Sequence, residues 1–223
     1  MKNTFALLAL LSLPLLNAAS ARSWDKDGFI ARDPVVNQPG RWEWAWDGDD
    51  GLSLEAPVTL HYRAGGPTRI VATGPDEILK HLRVGQGHIW ADDDWHFLRG
   101  DAVTVSITGP MVHKIALAGS GSATVDGLDL DHLHLSVAGS GSVTVAGRAE
   151  RVDVSLSGSG TAQMAHLAAR RADINIAGSG DVMLTPRDEA HVSITGSGAV
   201  HMASRPPSYT EKMVGSGAVR FGN

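Results

Sequence analysis

The chain has 223 residues, with 19 Lys and Arg against 24 Asp and Glu, a formal net charge of −5, and no cysteine. That balance offers no basic footprint for nucleic acid, and the missing thiols exclude disulfides and thiolate metal sites. The length suffices for one domain, whose stability must then come from packing alone.

The N-terminus reads as an export signal. Met1-Lys2-Asn3-Thr4 is a basic start, Phe5 to Leu16 an apolar run, and Ala19-Ser20-Ala21 a small-residue cleavage site. Residues 1–21 are therefore expected to be a signal peptide, the run being too short to span a bilayer. An uncleaved anchor is the weaker alternative. No cysteine follows the run, which argues against a lipid anchor, and no integral membrane segment is expected after cleavage. The remaining 202 residues carry 18 basic and 24 acidic side chains, a net −6 that suits a periplasmic or secreted protein.

Residues 22–51 form a tryptophan-rich extension. Arg22 to Gln38 is irregular, with Pro34 and Pro39 as breakers, and all six tryptophans fall between Trp24 and Trp95. In Arg41-Trp42-Glu43-Trp44-Ala45-Trp46 the three indoles share one strand face. Exposed, Trp42, Trp44 and Trp46 would stack on sugar rings or anchor an interface, and they are the candidate ligand-binding residues. Buried, they would close the open end of a larger β structure, which is the favoured reading. The turn Asp47-Gly48-Asp49-Asp50-Gly51 resembles a calcium loop only superficially. Leu52 stands where the loop needs glycine, and Val58 where it needs glutamate.

Short strand signals follow at Leu52–Leu54, Val58–Tyr62, Arg69–Thr73, His88–Trp90 and Ala102–Ile107. One or two helical turns are expected between Pro75 and Leu82. Then a Gly-Ser-Gly triplet recurs six times, its first glycine at positions 119, 139, 158, 178, 196 and 215, at intervals of 20, 19, 20, 18 and 19 residues. A period near 20 residues marks a solenoid. Around the triplets, apolar residues recur every second position, as in Ile115, Leu117, Ala123 and Val125 or in Val154, Leu156, Ala162 and Met164. That alternation belongs to a strand with one buried face. Carried through the triplet, the parity puts both glycines inward and the serine outward, at a corner between two short strands. The fold expected is all-β, a right-handed parallel β-helix of about 20-residue rungs with an N-terminal β-rich cap. In the last repeat Glu211 replaces the inward aliphatic residue and Pro206-Pro207 precedes it, the features of a terminal capping rung.

From Leu52 to Arg220 the chain resembles a bacterial domain of unknown function, the auto-transporter adhesin, head GIN domain family. The resemblance rests on Val71-Ala72-Thr73-Gly74-Pro75, on Ile78–Val84, and on the repeated Gly-Ser-Gly with its flanking alternation. It implies a right-handed β-helix over residues 52–223 in an exported protein. Auto-transporters end in a membrane barrel of many strands. Here the repeats run to Phe221, so a periplasmic location is expected as readily as a surface one.

The chemical motifs point away from catalysis. The triplets do not extend to a Gly-x-Gly-x-x-Gly phosphate loop, since Thr124, Thr144, Gln163, Met183, His201 and Arg220 occupy the third-glycine positions. Their six serines lack a nucleophile elbow. Asp153 and Asp173 stack on neighbouring rungs with Asp181 nearby, a pairing that would suit a carbohydrate-active enzyme. Stacked acids on a solvated strand are the commoner arrangement, and His134 and His191 break up the charge. His132 and His134 have the spacing of metal ligands on a strand, yet no third ligand stands out, so neither a metal nor a cofactor is expected. The reading is an exported, non-enzymatic, adhesin-like or binding or scaffold module of the bacterial cell envelope, its partner a polysaccharide or another protein. A carbohydrate-active enzyme is the alternative, and the oligomeric state stays open.

Overall fold

The computed structural model describes residues 31–46, 50–92 and 103–222. The signal-peptide reading of residues 1–21 lies outside the described residues, as do Trp24, Trp95 and residues 47–49. Stacked parallel coils form a β-solenoid of about 5 turns.

Strands β1 (Val36–Gln38) and β2 (Arg41–Trp44) make an antiparallel hairpin across Pro39-Gly40. The stretch expected to be irregular up to Gln38 thus ends in a strand. β3 (Gly51–Leu54) and β4 (Thr59–Ala64) follow as the two arms of one coil. β5 (Arg69–Thr73) leads into α1 (Asp76–Leu79), a single helical turn that buries Ile78 and Leu79. Next come β6 (Leu82–Gly85), β7 (His88–Ala91), β8 (Thr104–Gly109) and β9 (Lys114–Gly119). The repeats supply β10 (Ser122–Gly139), β11 (Ser142–Gly158), β12 (Thr161–Gly178), β13 (Asp181–Met183), β14 (Glu189–Gly196), β15 (Ala199–Met202), β16 (Ser208–Gly215) and β17 (Ala218–Phe221).

Two faces result. The first runs β6, β7, β3, β9, then the C-terminal halves of β10, β11 and β12, then β14 and β16. The second runs β1, β2, β5, β8, β4, then the N-terminal halves of β10, β11 and β12, then β13, β15 and β17. Strands β10, β11 and β12 are 18, 17 and 18 residues long, so each bends from one face to the other instead of breaking into two short strands. One further detail escapes the repeat pattern. The β3–β4 coil sits between β7 and β8 on one side and β9 and β10 on the other, although it precedes all of them in sequence.

The core follows the alternation. Ile115, Leu135, Val154, Ile174 and Val192 form one buried column, and Val125, Val145, Met164, Leu184 and Met202 another. Each buried aliphatic side chain contributes about 1.5–3 kcal/mol, which explains how a chain without cysteine holds together. The triplets depart from the expected parity. Their second glycines (Gly121, Gly141, Gly160, Gly180 and Gly198) are buried, but their first glycines are exposed or half-buried at φ between +95° and +131°. The first glycine therefore serves the turn, because side chains rarely adopt that backbone, and from Gly139 onward it also packs as closely as the second against the preceding coil.

The antiparallel cap divides β2 by face. Trp44 is buried, and Trp42 and Trp46 are half-buried against the core. The Trp44 Nε1–H donates to the Arg32 carbonyl at 3.1 Å. Glu43 is held by Arg69 and Arg41, whose Nη2 atoms lie 2.6 and 2.7 Å from its Oε1. These hydrogen bonds, from Arg69 first and Arg41 second, hold the Glu43 carboxyl below its ordinary 4.5. A depressed folded-state value stabilises the fold above the unfolded value, and that contribution disappears as pH falls through the folded one. Glu43→Gln should therefore melt below the wild type at neutral pH, with the gap closing as pH drops below 4.5. Melting curves of both proteins across that range check it; a gap independent of pH would contradict the ion-pair account.

Candidate functional site

The outer side of the first face is built by strand register. Because side chains alternate, every second residue of β3, β9, β10, β11, β12 and β14 points to solvent, and parallel pairing stacks them about 4.8 Å apart. One outward column reads Ser53, Ala116, Ser136, Ser155, Asn175 and Ser193. The column beside it reads Gly51, Lys114, His134, Asp153, Asp173 and His191. The first column is small and polar except for Ala116, and the second is charged or imidazole-bearing beyond Gly51. From Ser53 to Ser155 they line a shallow trough.

At its β3 end the trough deepens into an open cleft of about 540 Å³, walled by Asp50, Gln86, His88 and Lys114 and floored by Ser53, Ser136 and Ser155. His134 and Asp153 stand at the same cleft. His132 and His134 project from β10 with ring centroids 4.0 Å apart. Asp153 on β11 reaches both: its Oδ2 lies 2.8 Å from His132 Nε2 and 3.4 Å from His134 Nδ1. Arg151 Nε donates to the other oxygen, Oδ1, at 3.0 Å, and Arg151 Nη2 donates to Asp173. Burial alone would raise the Asp153 carboxyl, but hydrogen bonds from His132 and Arg151 outweigh it and hold the group below its ordinary range.

The candidate residues fare unequally. Asp153 and Asp173 do stand side by side on adjacent strands. Arg151 bridges them, and a depressed Asp153 suits an ion pair, not a general acid that must stay protonated near neutral pH. Asp181 lies on β13 in the second face, away from the pair. The triplet serines are all exposed. Trp44 has no free ring face, and together with Trp42 it lines a smaller cleft of about 390 Å³ beside Arg32, Asp33 and Arg83. Trp46 packs edge-on to Tyr62 at 6.0 Å. The convergence of His132, His134 and Asp153 was not evident from the residue spacing, because it runs diagonally between two coils.

A family model described as "Putative auto-transporter adhesin, head GIN domain" matches residues 50–206. The chain belongs to this family. Solved structures share the fold. The chain is similar to a "putative adhesin" from Bacteroides fragilis, with TM-score 0.65 and 17% identity over 83% of this chain and 98% of that one. It is similar as well to a "putative lipid binding protein" from Parabacteroides distasonis, with TM-score 0.54 and 20% identity over 86% and 99% of the two chains. At such identities the likeness concerns the fold. A search of curated proteins finds no match. The family is named for adhesins, and these two neighbours are named as an adhesin and a lipid binding protein, not as enzymes.

Proposed function

We propose that this GIN-domain protein is an exported, non-enzymatic binding module of the bacterial cell envelope, with residues 1–21 as its signal peptide, residues 22–51 as a cap and residues 52–223 as the binding solenoid. Its partner is an extended polysaccharide of the envelope, taken up along the outer side of the first face. The observation that carries this reading is the trough lined by the hydroxyls of Ser53, Ser136 and Ser155 beside Lys114, His134 and Asp153, whose outward columns continue in register through Asn175 and Ser193. Its hydroxyl, imidazole and carboxylate groups offer donors and acceptors from one coil to the next, which suits a hydroxyl-rich polymer better than a lipid tail. The paired acids argue against the glycosidase alternative, since Arg151 bridges them and helps hold the Asp153 carboxyl below its ordinary range.

The test is co-sedimentation with purified peptidoglycan sacculi and titration with soluble envelope polysaccharide. Filling the trough with Ser136→Trp and Ser155→Trp should weaken binding at least about tenfold while leaving the fold intact, since both positions are exposed. Undiminished binding by the double variant, or binding of lipid vesicles in place of glycans, would overturn the proposal.

A further inference from the structure

We infer that His132, His134 and Asp153 form a binding site for a divalent transition-metal ion, zinc being the ion their chemistry fits. The observation is geometric. Two imidazoles two residues apart on β10 project to the same side, and a carboxylate from β11 closes the triangle, so that one ligand atom from each lies within 4.8 Å of the other two. Zinc bonds imidazole nitrogen and carboxylate oxygen at about 2.0–2.2 Å, so a tetrahedral ion spaces its donors about 3.3–3.5 Å apart. Of the distances from Asp153 Oδ2 to the two histidines, the 3.4 Å to His134 already matches that spacing and the 2.8 Å to His132 falls short of it by about half an ångström. Small side-chain rotations suffice to seat the ion.

Accessibility and charge agree with this. The side chains of His132, His134 and Asp153 are 39%, 50% and 29% exposed, so an ion reaches them from solvent without opening the fold. Lys114, in register with His134, pairs with Asp50, while Arg151 pairs with Asp153 and with Asp173. Those charges sum to a net negative, and Arg151 acts as a positioning residue. By engaging Oδ1 it turns Oδ2 toward the imidazoles, the role that outer hydrogen-bonding partners play at metal sites. Two nitrogens and one oxygen suit a borderline ion such as zinc, whereas calcium and magnesium call for oxygen throughout. His134 and Asp153 also wall the 540 Å³ cleft, so the ion would stand at its rim with a coordination position left for a solvent or ligand oxygen.

The site does not depend on the polysaccharide reading, and its test needs no glycan. Full-length mature protein, stripped with a chelator, is titrated with zinc chloride by calorimetry, and with cobalt chloride by visible absorption. The expected result is one ion per chain with a cobalt spectrum of low coordination number. His132→Ala with His134→Ala, and separately Asp153→Asn, should each weaken zinc binding at least about tenfold. His191→Ala, an imidazole of the same outward column two coils away from Asp153, serves as the control and should leave it unchanged. Circular dichroism establishes that every variant keeps its β fold. The inference is overturned if the wild type takes up no zinc to millimolar concentration. It is equally overturned if the ligand variants bind as well as the wild type, or if His191→Ala costs as much as they do.

Discussion

Gly158→Val and Gly160→Val are each expected to cost about 3–5 kcal/mol, while Ser159→Ala between them should cost under about 1 kcal/mol. The two glycines fail for different reasons. Gly158 turns the chain at φ +108°, and a Cβ there would lie 2.5 Å from the Gly139 carbonyl oxygen of the preceding coil. Gly160 has ordinary backbone angles but no room, since its Cβ would meet the Gly141 oxygen at 2.7 Å and Val137 Cγ1 at 2.8 Å. Backbone oxygens cannot move aside without breaking the pairing of β11 with its neighbours, so the coil itself must shift. Ser159 is exposed, and its amide, which donates to the Gly139 carbonyl at 2.9 Å, survives the change to alanine. Thermal unfolding of the three variants checks this ranking. A serine variant as damaged as the glycine variants would show that the turn depends on the hydroxyl and not on the backbone.

Deleting residues 205–223 should produce aggregation and a clear fall in melting temperature. The segment supplies β16 and β17, which pair along β14 and β15 and cover the ends of the Val192, Ile194, Val200 and Met202 columns. Losing that cover exposes aliphatic side chains at about 1.5–3 kcal/mol each and bares two lines of unpaired backbone groups ready to pair with another chain. The cover itself resists such pairing. Glu211 stands in register with Val192 yet is exposed, Pro206 is buried at the approach, and Arg205 lies over the Tyr209 and Phe221 rings at 4.8 and 5.6 Å. Glu211→Val should accordingly leave the fold intact but raise self-association in light scattering. A truncated protein that stays monomeric with an unchanged melting curve would refute the capping role.

The solenoid was legible because two periods coincide in the repeats. Alternation named the buried columns from Ile115 to Ile194, and the Gly-Ser-Gly spacing set the register that pairs Asp153 with Asp173. Alternation does not report the sign of φ, which is why the first glycine of each triplet looked inward-facing when its task is the turn. Strands β1 and β6 were not foreseen, since their three and four residues carry too few apolar positions to show a period. The three-residue cluster was half visible. His132 and His134 stand out as a pair, and register places Asp153 beside His134, but the contact with His132 is diagonal and depends on where side chains lean.

The position of the β3–β4 coil bears on how the chain assembles. Its neighbours come from β7 and β8 on one side and from β9 and β10 on the other, so it gains partners on both edges only once the chain as far as Asp126 is at hand. Beyond that point each coil lands on one already complete, with a loop of one repeat to close. The N-terminal half must therefore collapse as a unit, with its distant contacts made together, before the later Gly-Ser-Gly coils can zip onto it one after another. A chain emerging N-terminus first would wait, with one edge of β3 and β4 uncovered, until more than half of its length had arrived.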